Sequence, residues 1–317
     1  MEVRGFHHTS SVSAEIGENV RFYTGVLGMR FVYRSVNQDD VSMYHLAYGD
    51  GAAKSGAVVT FFDIPKAAPN RAGRGEVASI ALRVPDREAL GWWAGRFGEL
   101  GVWHGEVEDR HDGRTKLDFR DGEGHRMSLV ADGGEGMEPG EPWTGEGVPE
   151  EYAVRGIESS VMVVGNVGPS EVVLADVLGF RRSGEYTVRG DRIVVFESGV
   201  GGPGTEVHVA ERPELHRARP GAGGVHHIAF RVKDEKEISR WAERISGVGL
   251  PNSGVVDRDF FKSVYFREPG GVLFEIATDE PGWAKDGLDN LGEKLVLPHF
   301  MEAKRKEIEA NLKPIPV

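Results

Sequence analysis

Two histidine doublets, His7–His8 and His226–His227, head two well-separated apolar runs, "GFHHTSSV" and "GVHHIAFRV". One doublet alone is an ordinary polar strand end, but two in matching settings point to a repeated unit whose histidines face something together. Side chains alternate between the faces of a strand. In the second run Ile228, Phe230 and Val232 therefore share one face, and His227, Ala229 and Arg231 the other. The same rule in "GVLFEIAT" sends Phe274 and Ile276 toward a packed helix and Glu275 to the concave side, while "SVYFRE" leaves Ser263 and Tyr265 concave. With His8, Ser10 and Val12 alternating against Thr9 and Ser11, the set becomes His8, His227 and Glu275. Two imidazoles and a carboxylate are a facial ligand set that leaves positions open on a divalent metal. On iron(II) those positions let a substrate and dioxygen bind side by side, and manganese(II) accepts the same ligands. A buried Glu275 with no partner would be costly, so a metal, an ion pair or solvent must compensate it. In regular strands His7 and His226 point away from their neighbours, as strand-end caps or as supports of the ligands. Arg258, in "VVDRDFFKSVYF", is a candidate for holding an anionic oxygen.

Positioning these groups requires a repeat, and the chain carries one. Strand, helix and about three strands recur four times, with His8, Ser79, Ser159 and His227 at one position of the first strand, separated by 71, 80 and 68 residues. At the Glu275 position the other copies read as Phe62, Leu129 and His208, so only the first and fourth copies supply a complete ligand set. The expected fold is α+β: four βαβββ modules paired into two domains, with mixed curved sheets forming open cups and a C-terminal helical tail. The N-terminal domain spans 1–131 (modules about 3–66 and 75–131), and a Gly-, Pro- and Glu-rich linker spans 132–151. The C-terminal domain spans 152–280 (modules about 153–210 and 222–280), followed by a helix and tail over 281–317.

Composition narrows the classes. With 317 residues, 39% hydrophobic and 28% charged, the chain reads as an ordinary globular protein long enough for two domains. The formal charge of -12 argues against nucleic acid or an anionic membrane as partner. No cysteine is present, which excludes disulfides, thiolate metal sites and a cysteine nucleophile. Without a membrane-length apolar run or a signal-peptide core, a cytoplasmic location is expected. The oligomeric state, homo-oligomer or monomer, is open.

The fourfold repeat resembles the vicinal oxygen chelate superfamily, which includes glyoxalase I, the extradiol dioxygenases and the bleomycin-resistance proteins. More narrowly, "GFHHTSSV", "GVHHIAFRV" and "DRDFFKSVYFREPGGVLFEIAT" resemble the hydroquinone and chlorohydroquinone 1,2-dioxygenases. That resemblance implies His8, His227 and Glu275 as iron(II) ligands and places His7, Ser10, His226, Arg258 and Tyr265 in the pocket. It further implies a small aromatic para-diol and dioxygen as reactants, with His226 as acid/base and Tyr265 and Arg258 holding oxygens. Ser10 stands where relatives carry threonine, which keeps the hydroxyl. Two alternatives share the scaffold: a metal-dependent glyoxalase-type isomerase or lyase, whose site is richer in carboxylates, and a non-catalytic protein that sequesters an aromatic compound. Phe260, Phe261 and Phe266 are expected to supply apolar surroundings.

Overall fold

The computed structural model describes residues 1–289 and 291–316. The first module runs β1 (Phe6–Ser13), α1 (Ile16–Val20), β2 (Arg30–Asn37), β3 (Asp40–Gly49) and β4 (Val58–Asp63). The second runs β5 (Glu76–Val84), α2 (Arg87–Leu100), β6 (His104–Asp109), β7 (Thr115–Arg120) and β8 (Arg126–Ala131). The third follows the 132–151 segment with β9 (Ile157–Val164), α3 (Val167–Val172), β10 (Arg181–Val188), β11 (Asp191–Glu197) and β12 (Glu206–Glu211). The fourth has β13 (Val225–Val232), α4 (Glu235–Gly247), β14 (Val256–Asp257), β15 (Lys262–Arg267) and β16 (Leu273–Thr278). The fourfold βαβββ expectation holds.

Helix boundaries follow local chemistry. Asp86 and Asp234 cap α2 and α4, their carboxylates accepting from the amides of Ala89 and Glu237 at 2.9 Å. Helix α2 ends at Gly101, whose φ of 69° is the left-handed conformation that glycine adopts without strain. Helix α4 buries Ile238, Trp241 and Ile245, one helical stripe laid on the strand face that carries Ile228, Phe230, Phe274 and Ile276.

The pairing of modules decides where the concave faces meet. Strand β1 pairs antiparallel with β13, and β5 with β9. The first and fourth modules thus share one cup, and the second and third share another. Between them β5 meets β13 at one bridged pair, Val77 with Val225, and backbone bonds such as Ile157 N–H to Gly56 O and Phe6 N–H to Gly204 O also join the two cups. Each half of the sequence contributes one module to each cup.

The sheet register corrects two equivalences read from the sequence. Ser10 pairs with Thr60 and Ala81 with Ser128, as Ala229 pairs with Glu275 and Val161 with His208. Thr60 and Ser128, not Phe62 and Leu129, therefore occupy the Glu275 position of the first two modules, and His208 holds it in the third. Each of the four is the third residue of a six-residue strand, so the register moves the position by two residues in β4 and by one in β8. The chemical consequence is unchanged, since neither hydroxyl is a carboxylate.

The tail carries the expected C-terminal helix. A 3-10 turn at His299–Lys304 leads into the short helix α5 (Arg305–Asn311), and Ile308 packs with Val36 and Leu297 on the first module. Residues 290 and 317 of that tail lie outside the described residues. No helix among the described residues is long and apolar enough to cross a membrane.

Candidate metal centre and aromatic pocket

Four strands set the site in one row. His8 on β1 lies opposite Ala229 on β13, Ala229 opposite Glu275 on β16, and Glu275 opposite Tyr265 on β15. The small Ala229 between His8 and Glu275 leaves a gap above the sheet. His227, two residues before Ala229, projects into that gap from the same face. The ligand atoms of His8, His227 and Glu275 all lie within 4.8 Å of one another, and all three residues are buried. Glu275 Oε2 is 3.3 Å from His8 Nε2 and 2.7 Å from His227 Nε2.

The ladder irregularities explain the doublets. The β1–β13 register shifts between Phe6 and His8 and again between Ser10 and Ser11, so His7 and His226 sit at bulges. A bulge breaks the alternation, and both residues turn toward their neighbours instead of away from them. His7 Nδ1 is 2.8 Å from His8 Nδ1, and His226 Nδ1 is 2.8 Å from His227 Nδ1. The regular-strand expectation for these two residues fails for that reason.

The contacts select tautomers. His7 Nε2 is 3.0 Å from the Thr278 carbonyl oxygen and must donate to it, so its Nδ1 is the acceptor. His8 Nδ1–H then donates to His7, which leaves the His8 Nε2 lone pair facing the gap. His226 and His227 repeat the Nδ1–Nδ1 contact without a carbonyl behind His226, and a donor at His227 Nδ1 would free the His227 Nε2 lone pair in the same way. Ser263 donates to Glu275 Oε1, leaving Oε2 for the gap. Hydrogen-bonded partners behind each ligand are the usual means of fixing ring orientation at a metal. His227 Nε2 and Glu275 Oε2 are buried without a hydrogen-bond partner, because their mutual approach lacks hydrogen-bond geometry. Two imidazole nitrogens and a carboxylate oxygen converging in a buried gap, two of the three without a hydrogen-bond partner, fit a divalent cation. Burial pushes the Glu275 carboxyl up, yet proton-bearing imidazoles at His8 and His227 outweigh it and hold the group well below the usual carboxylate range; a cation in the gap would supply the same compensation once the Nε2 lone pairs are free. Burial depresses His227 as well, which favours the neutral ligand form.

Beside this cluster is a cavity of about 270 Å3. That volume is at the lower edge of the ~300–1,000 Å3 usual for small-molecule sites, a match for a single ring. Its walls include Tyr33, Phe62, Phe260, Phe261, Leu273 and Trp283. Ser10, His226, Arg258 and Tyr265 line it as expected, whereas His7 does not reach it and Phe266 lies in the core behind the sheet. His7 is thus a support for His8, which departs from the place in the pocket that the resemblance implies for it.

Strand β14 stops at Asp257 because the chain turns through Asp259, whose φ is 73°, with the Arg258 amide donating to Phe261 O at 2.9 Å. That turn brings Arg258, Phe260 and Phe261 to the cavity instead of into the ladder. Arg258 Nε donates to the Tyr265 hydroxyl oxygen at 3.2 Å, and its Nη1 donates to Gln38 Oε1 at 3.2 Å. Burial raises the Tyr265 phenol well above its ordinary value, so it stays protonated. On the other wall Ser10 Oγ lies 2.7 Å from Thr60 Oγ1, which is 3.1 Å from His45 Nε2. Burial presses His45 down to about 3, and it is neutral.

Sequence reasoning missed Tyr33, Gln38, His45 and Trp283. Gln38 sits in a hairpin turn and Trp283 beyond the repeat, where no periodicity singles out a residue. Trp283 is 2% exposed, and its ring is 5.7 Å from that of His8.

A metal-binding cup of paired βαβββ modules defines the vicinal oxygen chelate class. The chain belongs to the Glyoxalase/Bleomycin resistance protein/Dioxygenase superfamily, whose model matches residues 5–129 and 157–276. It is 47% identical over 317 residues to MhqA of Bacillus subtilis (strain 168), a candidate ring-cleaving dioxygenase, covering 99% of this chain and 100% of that one. It is 25% identical over 313 residues to the chlorohydroquinone/hydroquinone 1,2-dioxygenase of Sphingobium indicum, covering 96% and 95%. A solved structure of a candidate dioxygenase from Bacillus subtilis superimposes with a TM-score of 0.90 at 34% identity, covering 100% of this chain and 98% of that one.

Proposed function

We propose that this protein is an iron(II)-dependent dioxygenase that opens the ring of para-diols, hydroquinone and its alkyl or halogen derivatives, with dioxygen. The observation that supports the reading best is the buried convergence of His8 Nε2, His227 Nε2 and Glu275 Oε2 beside a ring-sized cavity. A divalent metal held there would lower the pKa of a ring hydroxyl and present it next to dioxygen. Both oxygen atoms enter the ring-opened product, so no external reductant is required.

The chain's own residues then have separable tasks. Phe260, Phe261, Phe62 and Leu273 exclude water and fix the ring plane. Arg258, whose guanidinium keeps its charge, and the protonated Tyr265 direct donors at oxygens that become anionic as the ring is attacked. With His227 Nε2 given to a metal, His227 Nδ1–H would donate to His226 Nδ1 and leave the His226 proton on Nε2. Desolvation and the neighbouring His227 press its pKa down to about 3, so it serves as a neutral donor to a substrate oxygen more readily than as a base. Thr60, where a glyoxalase-type site would add a carboxylate, leaves the ligand set at three.

Oxygen uptake by protein loaded anaerobically with iron(II) tests the reading. Consumption with hydroquinone, methylhydroquinone and chlorohydroquinone, together with loss of ring absorbance, is expected. Uptake with catechol alone would move the protein to ortho-diol cleavage. No uptake with any diol, despite one tightly bound metal per chain, would favour the isomerase or lyase alternative.

A further inference from the structure

The cup of the second and third modules has no metal cluster among the described residues, yet it is not filled. Its cavity holds about 450 Å3, more than that of the first cup. At the four positions equivalent to the ligand row and Thr60 stand Ser79, Ser159, Ser128 and His208, and all four line this cavity. Three hydroxyls thus replace metal ligands. His208 is spent on the Tyr186 hydroxyl at 2.9 Å and on Glu206 at 3.3 Å. Ser159 and Ser128 donate to Glu158 and Asp118, each at 2.5 Å, which leaves their lone pairs free to accept. Ser79 makes no side-chain hydrogen bond among the described residues. The walls are flat: His111 stacks on Tyr186, and Trp103 lines the cavity with its side chain 56% exposed.

The charges in the lining select what could bind. Arg110 is paired with Asp112 and Glu158, Lys116 with Glu108 and Asp118, and Arg126 with Glu76. Arg120 lies over the Trp103 ring, 4.5 Å from its centroid. A carboxylate or phosphate would meet Asp118 and Glu108 with most of the cations already engaged, and a cation would compete with those same pairs. What remains is the Ser79 hydroxyl, the acceptor lone pairs of Ser128 and Ser159, and the faces of Trp103 and Tyr186 turned from Arg120 and His111, which suit a neutral planar ring bearing hydroxyl groups.

We propose that this second cup is a metal-independent binding site for a neutral hydroxylated aromatic ring. The inference does not rest on the catalytic reading, because no ligand of the metal centre takes part in it. The test is calorimetric titration of full-length protein with hydroquinone under anaerobic conditions, using the Glu275→Gln variant so that binding at the metal centre is suppressed. One saturable site per chain is expected to remain, with quenching of tryptophan fluorescence. Adding Trp103→Ala, or Ser79→Leu to fill the cup, should weaken that site at least tenfold while circular dichroism stays unchanged. Absence of saturable binding up to millimolar hydroquinone would overturn the proposal. So would binding indifferent to both cup variants, or benzoate binding more tightly than hydroquinone. Oxygen uptake by the wild-type enzyme is measured separately, so failure here leaves the catalytic reading standing, and the reverse holds.

Discussion

Ala229 is the residue on which the proposed metal centre turns, although it offers no ligand. It lies between His8 and Glu275 in the strand row, and its methyl group leaves the gap where three lone pairs converge. Ala229→Leu should fill that gap and reduce bound metal below 0.1 per chain by elemental analysis, with the far-ultraviolet spectrum intact. Glu275→Gln removes the anionic ligand and should weaken iron(II) binding by at least 100-fold. Ser263→Ala removes only the donor behind Glu275 Oε1, and a loss of about 10–100-fold in metal affinity is the expected scale for such a partner. Full occupancy in the Glu275→Gln variant would sink the ligand assignment.

At the scale of elements, two bulges and one hairpin tip organise the pocket. The bulges at His7 and His226 place both doublet partners behind the ligand rings. The β2–β3 hairpin reaches across from the first module to the fourth, where Gln38 accepts from Arg258 Nη1 and donates to the Arg258 carbonyl at 3.3 Å. Gln38→Ala should therefore loosen Arg258 without touching the metal. We expect KM for hydroquinone to rise severalfold in steady-state oxygen uptake, with metal content unchanged and kcat altered less than KM. A fall in kcat alone would place Gln38 in the chemical step instead. Helix α4 is held by Trp241, fully buried against β15 and β16, and Trp241→Ala should cost about 3–5 kcal/mol in urea unfolding.

At the scale of the whole molecule the two cups are held differently. The first converges on a metal-ligand set, the second on an ion network in which Arg114 bonds to Glu158 and Glu206 at 2.8 and 2.9 Å. Burial pushes Glu206 up, but hydrogen bonds from His208 and Arg114 prevail and hold it at about 2, against 4.5 for a free glutamate. A carboxylate depressed in the folded state contributes stability that is complete above its unfolded pKa and is lost as pH falls toward the folded value. Stability should thus decline between about pH 4.5 and pH 2, and Glu206→Gln should flatten that decline. Urea midpoints measured at pH 6, 4 and 3 check it. Equal pH dependence in wild type and variant would remove Glu206 from the account.

What the sequence determined by itself was the repeat, the strand faces and the convergence of His8, His227 and Glu275 on one concave face. His227, Ala229 and Arg231 against Ile228, Phe230 and Val232 is a period-two pattern that a half-buried strand must obey, so the concave residues were legible. The tertiary structure decided what depends on register and on distant pairing. Thr60 and Ser128 entered the Glu275 row only once the ladders were aligned. His7 and His226 turned inward because bulges, which leave no mark in a period-two pattern, break the alternation. Gln38 and Trp283 reached the cavity from a turn and from an irregular tail segment, whose positions are set by packing against residues more than 200 positions away.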